Sequence, residues 1–147
     1  MKPQGVNRVV MAVEDLDKAV TVYSGLLNTS FIDASEGGEP FGLKVAISFD
    51  AGIELCAPMP GRDSFIKQFI DKHGEGITGV VFVVDDVDEA HDKAKEMGIG
   101  VLAMIADYDQ AYIDAHLEGR YRKYKEYMLN PAGTFGAGVI IGQIEPK

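Results

Sequence analysis

The chain has 147 residues, of which 46% are hydrophobic and 25% charged, a composition typical of one globular domain. Its formal net charge of −9 opposes binding to nucleic acid, and no apolar run of about 18 residues indicates a membrane span. The single cysteine, Cys56, excludes an intramolecular disulfide, and no secretory signal pattern precedes the first strand. A cytoplasmic protein is therefore expected.

The first half of the sequence predicts a βαβββ module. A β-rich segment at 6–13 leads to Asp15, which can cap a helix whose apolar residues keep helical spacing as far as Leu27. Asn28 then favours a left-handed helix end. The remaining predicted elements are strands at 29–34, 43–50 and 53–57, a glycine-rich loop at 35–42, and a linking helix at about 63–73.

The second half repeats the first. VVMAVEDLDKA at 9–19 returns 71 positions later as VVFVVDDVDEA at 80–90, with six of eleven residues identical. Added residues at 107–125 interrupt the repeat and predict a helix from Gln110 to Glu118 followed by a strand. The predicted fold is α+β, with two tandem βαβββ modules at about 5–60 and 76–147 in a single domain.

The tandem modules, their acidic D-L-D and D-V-D helix starts, and the segments GIELCAPM (52–59) and DSFIKQFIDKHGEGI (63–77) carry a family resemblance. They resemble the vicinal oxygen chelate superfamily of glyoxalases, extradiol dioxygenases and bleomycin-resistance proteins, and most closely methylmalonyl-CoA epimerases. The resemblance implies two half-barrels around one cavity, with a divalent metal held from the first, fourth, fifth and eighth strands. The residues at those positions are Arg8, Glu54, Gly79 and Gly142.

Of these four residues, only Glu54 has a side chain that can bind a metal, whereas a catalytic divalent site takes about three protein ligands. We therefore expect a protein that uses no metal and no cofactor. Strand alternation places mainly apolar residues beside the four positions: Val10, Cys56, Val81, Ile140 and Ile144. Gly79 and Gly142 either leave room for an aromatic ligand or accommodate a bulky neighbour.

The inserted segment is rich in tyrosine. Tyr108, Tyr112 and His116 recur at a spacing of four, which predicts one shared helical face, and Tyr121 and Tyr124 follow in the next strand. Such a cluster can form a lid that binds an aromatic ligand, with His116 as a possible acid or base, or it can be an amphipathic contact or dimer surface. The basic run Arg120, Arg122, Lys123 and Lys125 can receive an anionic group or protect a solvated strand edge.

These patterns predict that a largely apolar or aromatic small molecule binds, without metal, in the cavity between the modules, as in drug-sequestering relatives. The alternative is a metal-independent isomerase, epimerase or lyase in which Glu54 is the base and Arg8 stabilises the anion. Arg8 and Glu54 can also be a buried ion pair with a purely structural role. A homodimer is expected from the resemblance, and a conventional metalloenzyme would need ligands that the sequence lacks.

Overall fold

The computed structural model describes residues 1–147 and divides them into two compact units. The N-terminal unit consists of residues 8–78, and the C-terminal unit combines residues 79–147 with residues 1–7. The fold is α+β, as predicted, with eight strands and five α-helices. None of the helices has the length and apolar character needed to span a bilayer.

The elements follow the predicted βαβββ order twice, with short additions. The first set is β1 (Pro3–Ala12), α1 (Leu16–Leu27), β2 (Ile32–Asp33), α2 (Ser35–Gly38), β3 (Leu43–Ser48), β4 (Ile53–Pro58) and α3 (Phe65–His73). The second set is β5 (Gly76–Val84), α4 (Val87–Glu96), β6 (Val101–Tyr108), α5 (Gln110–His116), β7 (Tyr121–Leu129) and β8 (Gly138–Pro146).

In the N-terminal unit the strand order is β2-β3-β4-β1, with β1 parallel to β4 and the other pairs antiparallel. Apolar residues of α1 pack against a buried cluster of Val13, Ile53, Leu55 and Ala57. Because side chains alternate along a strand, the residues between these point to the opposite sheet face. That face carries Arg8, Val10, Glu54 and Cys56, and the register pairs Val10 with Glu54.

The C-terminal unit has the equivalent strand order, β5-β8-β7-β6, in which β5 is parallel to β8 and the other pairs are antiparallel. The helix α4 packs through Val87, Ala90 and Ala94 against Leu129 and Ile141. The two repeated segments therefore occupy corresponding places, as a strand and the start of the helix that covers it. This equivalence agrees with the duplication read from the sequence.

Four local predictions were wrong. The strand expected at 29–34 is only two residues long, and the segment expected to be a loop at 35–42 contains α2 and a 3-10 turn at Glu39–Phe41. The strand β7 pairs with both β6 and β8, so its basic residues do not protect a sheet edge. The helix α5 ends at His116 rather than 118, because Glu118 and Gly119 have positive φ angles of 57° and 61°.

Candidate active site

The candidate active site in the N-terminal unit is built around a buried ion pair. Arg8 on β1 is only 2% exposed, and its Nε donates a hydrogen bond of 2.8 Å to Oε1 of Glu54 on β4. Its Nη2 lies 2.8 Å from the same oxygen. The guanidinium carbon lies 5.5 Å from the centre of the Phe49 ring, within cation–π range. Arg8 is thus fixed by a carboxylate and an aromatic face.

The second carboxylate oxygen of Glu54 has a different partner. The Cys56 thiol donates a hydrogen bond of 3.2 Å to Oε2, and this cysteine is 1% exposed. Burial, followed by the charge of Glu54, raises the pKa of the Cys56 thiol well above its ordinary value. The thiol is therefore a neutral donor at physiological pH. Neighbouring Val10 is also buried, at 4% exposure, so an apolar side chain lies beside the polar groups of Arg8, Glu54 and Cys56.

An ionised carboxylate has about four acceptor positions, two on each oxygen. In Glu54, the two donors from Arg8 occupy Oε1, and the thiol occupies one position on Oε2. One acceptor position thus remains on Oε2. The side chain of Glu54 is 12% exposed, compared with 2% for Arg8, so the carboxylate is the more accessible member of the pair.

The divalent metal that the family resemblance implies does not fit these residues. Glu54 is the one carboxylate among the four positions where the family would place metal ligands, and Arg8 places a permanent cation 2.8 Å from it. Gly79 and Gly142 offer no side-chain donor, and the chain contains no group of three or more histidine, cysteine, aspartate or glutamate side chains arranged to hold an ion. The donor set falls short of the three or so protein ligands that a catalytic divalent ion takes.

The two glycines have packing roles within the C-terminal unit. A Cβ atom on Gly79 would overlap the backbone carbonyl of Gly138, its partner on β8. A Cβ atom on Gly142 would lie 3.2 Å from Cγ of Glu126 on β7. Of the two interpretations made from the sequence, accommodation of a close neighbour is therefore favoured over an opened cavity at both positions.

Glu126 is a buried acid that the sequence analysis missed. It is 3% exposed and lies opposite Gly142 in the β7–β8 register. Charged neighbours in the sequence, including Lys125, make its segment resemble a solvated strand. The sequence nevertheless contains a usable signal, because strand alternation places Glu126 on the same side of β7 as Tyr124 and Met128. All three residues are buried in the structure. The remaining apolar candidates of this unit, Val81 and Ile140, are buried register partners on β5 and β8.

The predicted tyrosine and histidine cluster forms in the C-terminal unit, although Tyr108 lies at the end of β6 rather than on a helix. Its ring stacks on Tyr112 at 4.1 Å and on Tyr124 at 5.3 Å between ring centres. The Tyr112 ring also lies 4.4 Å from that of His116, and Tyr121 lies 5.7 Å from Tyr124. Asp109 caps α5 by accepting from Tyr112 N, which explains why the strand ends at Tyr108 and the helix begins two residues later.

Two members of the predicted basic run pair with acidic side chains. Arg122 donates from Nε to Glu145 at 3.2 Å, and Lys125 Nζ lies 2.8 Å from Asp88 Oδ1. The hydrogen bond with Asp88 raises the pKa of Lys125 above its ordinary value, so its charge is held in this pair. Their contacts tie β7 to β8 and to α4.

The comparisons with known proteins agree with this fold. A methylmalonyl-CoA epimerase from Mycobacterium tuberculosis superimposes with a TM-score of 0.71 at 23% identity, covering 99% of this chain and 89% of that one. A methylmalonyl-CoA epimerase in complex with methylmalonyl-CoA and NH4+ gives 0.69 at 20% identity, covering 99% and 100%. A variant of the Streptomyces coelicolor epimerase in complex with 2-nitronate-propionyl-CoA gives 0.68 at 20% identity, covering 97% and 95%.

At these identities the structural matches establish the fold, and a search of curated proteins finds no match. The model of the Glyoxalase/Bleomycin resistance protein/Dioxygenase superfamily matches residues 7–114, well over half of the chain. This match confirms the resemblance inferred from the repeated strand and helix starts. The chain therefore belongs to the Glyoxalase/Bleomycin resistance protein/Dioxygenase superfamily.

Proposed function

We propose that this protein is a metal-independent isomerase, epimerase or lyase that removes a proton next to a carbonyl group, with Glu54 as the base. The observation that carries this proposal is the arrangement of the Glu54 carboxylate. Arg8 holds the carboxylate through Oε1, while Oε2 keeps one acceptor position and the side chain is partly accessible. A general base needs this combination of fixed position and a reachable lone pair.

Charge balance explains how such a site can work without a metal ion. Before proton transfer, the guanidinium of Arg8 balances the negative charge of Glu54 at 2.8 Å. When a C–H bond of the substrate breaks, its proton joins Oε2 and its electron pair moves toward the carbonyl oxygen. Glu54 is then neutral, and the positive charge of Arg8 instead stabilises the enolate. In an environment of low polarity, a guanidinium can stabilise the enolate electrostatically, as a metal ion would otherwise do.

The first substrate class to test is an acyl thioester of coenzyme A. Solved structures with the same fold are epimerases in complex with methylmalonyl-CoA or with 2-nitronate-propionyl-CoA. Protons next to a thioester carbonyl are acidic enough for removal by a positioned carboxylate. Simpler thioesters and 1,3-dicarbonyl compounds extend the panel to substrates without the nucleotide portion.

The test measures exchange of the substrate α-proton in deuterated water, which is monitored as the loss of its proton NMR signal. We expect wild-type protein to exchange this proton in the presence of EDTA, and Glu54→Gln to lose at least about 100-fold in rate, because the base is removed while its shape is kept. Glu39→Gln is the matched control, since Glu39 is an exposed residue of the same unit that pairs with Arg62. A Glu54→Gln protein that is folded and exchanges at the wild-type rate would remove Glu54 as the base.

A second candidate function is binding of an aromatic molecule without turnover. The observation that favours it is the stack of Tyr108, Tyr112 and Tyr124 in the C-terminal unit, in which Tyr124 is buried and Tyr112 is partly exposed. It requires saturable binding of an aromatic ligand that is recovered unchanged. Binding that is weakened by Tyr112→Ala and unaffected by Glu54→Gln, together with no proton exchange on any panel member, would favour this function over the first.

A further inference from the structure

We infer that Cys56 is a positioning residue for the base: its thiol holds Oε2 of Glu54 so that the remaining lone pair of that oxygen faces the substrate. This inference rests on the proposed function of Glu54. Both residues lie on β4, separated by one position, so strand alternation places them on the same sheet face. The thiol donates to Oε2 at 3.2 Å, while the contacts from Arg8 to this carboxylate are made with Oε1.

The surroundings of Cys56 leave the carboxylate as its polar partner. The residues beside it in the strand register are Ala12 on β1 and Val45 on β3, and neither has a side-chain acceptor. The thiol is 1% exposed and therefore shielded from water. Its hydrogen bond to Glu54 thus fixes the direction of the S–H group and, in return, the rotation of the carboxylate about its terminal bond.

A thiol suits this task because it is a weak donor. A strong donor on Oε2 would compete with the substrate proton for the same oxygen, whereas a weak one orients the oxygen at little cost in basicity. The thiol keeps its own proton throughout the reaction. The substrate C–H bond breaks, an O–H bond forms on Oε2, and the sulfur only maintains its hydrogen bond, so atoms and charges balance without a redox step.

The chain contains one cysteine, so its S–H stretching band in the infrared spectrum reports on Cys56 alone. In folded wild-type protein we expect this band at lower frequency than in the unfolded chain in water. Glu54→Gln should shift it toward the frequency of a weaker hydrogen bond, because an amide oxygen is a weaker acceptor than a carboxylate. A band that is unchanged by Glu54→Gln would overturn the hydrogen bond on which the inference depends.

The kinetic test compares Cys56→Ala with Cys56→Ser in the proton exchange assay. We expect Cys56→Ala to lower kcat roughly 2- to 10-fold with little change in KM, because a donor to the base is lost while the binding surface is kept. Cys56→Ser, which restores a donor at this position, should recover part of the lost kcat.

The outcomes separate the two proposals. If Cys56→Ala, shown to be folded by circular dichroism, has wild-type kcat while Glu54→Gln is inactive, the positioning role is wrong and Glu54 remains the base. If Glu54→Gln is active, the proposed function itself is wrong. A KM increase in Cys56→Ala with unchanged kcat would also overturn the positioning role, because it indicates a contribution to binding alone.

Discussion

At the scale of single residues, the positions that would carry metal ligands are now committed to other contacts. Arg8 forms an ion pair with Glu54. Gly79 and Gly142 leave room for close contact with Gly138 on β8 and Glu126 on β7. Substitution is less tolerable at Gly79 than at Gly142, because an added Cβ atom at Gly79 would meet the backbone of Gly138, whereas at Gly142 it would meet the flexible side chain of Glu126. Backbone cannot move aside without disturbing the β5–β8 pairing, so this position tolerates no side chain without a shift of the sheet.

The variant Gly79→Ala tests this packing role. We expect its free energy of unfolding to fall by about 1–3 kcal/mol, because the added Cβ must displace the carbonyl of Gly138. Urea denaturation measures the change. The control is Gly25→Ala, at an exposed site in α1 where an added Cβ has no atom within 4 Å, and where alanine should stabilise the helix by about 0.5–1 kcal/mol. Equal effects of the two substitutions would contradict the packing role.

At the scale of elements, a small polar network adds to the apolar contact of α4 with β7. Lys125 Nζ lies 2.8 Å from Asp88 Oδ1, and the Tyr127 hydroxyl donates to the same carboxylate at 3.0 Å. The bond from Lys125, and then that from Tyr127, lower the pKa of Asp88 below its ordinary value of 3.8. The charged carboxylate therefore contributes stability above pH 3.8, and this contribution is lost as the pH falls through the lowered pKa of the folded state.

The variant Asp88→Asn should remove this pH dependence. At pH 7 we expect a loss of less than about 1 kcal/mol in unfolding free energy, because the Asp88 side chain is 62% exposed and solvent screens the pair. Between about pH 4 and pH 2, its stability should fall less than that of wild type. Glu96→Gln, an exposed substitution on the same helix, serves as the control for urea denaturation at each pH. Parallel losses in wild type and Asp88→Asn would show that Asp88 is not the group concerned.

Elements whose ends depend on local chemistry were the ones best predicted from sequence. Asp15 caps α1 by accepting from Lys18 N, and Asn28 ends it with a left-handed φ of 49°. Ser64 and Asp86 cap α3 and α4 in the same way. In contrast, the short length of β2 and the pairing of Glu126 with Gly142 depend on contacts between distant segments. Sequence spacing carries little information about such pairs, so these features emerged only from the structure.

At the scale of the whole molecule, the duplicated sequence predicted the α+β fold, and the family match confirmed it. Residue correspondence with the family then singled out Arg8 and Glu54, which the structure joins in one ion pair, and strand alternation placed Cys56 on the same face. The hydrogen bond from Cys56 was not predictable, because its existence depends on the side-chain rotation of Glu54. A shared fold therefore does not determine which side chains its strands carry at the candidate site.

Proton transfer by Glu54 without a metal ion is tested most directly by measuring the exchange rate and the metal content of the same samples. Wild-type protein is dialysed against EDTA, its zinc, nickel, cobalt, manganese and iron are measured by elemental analysis, and α-proton exchange of the active thioester is followed by NMR. We expect an unchanged rate per protein molecule at a metal content far below one ion per chain. A rate that falls with the metal content and returns when one equivalent of a divalent ion is added would contradict the claim.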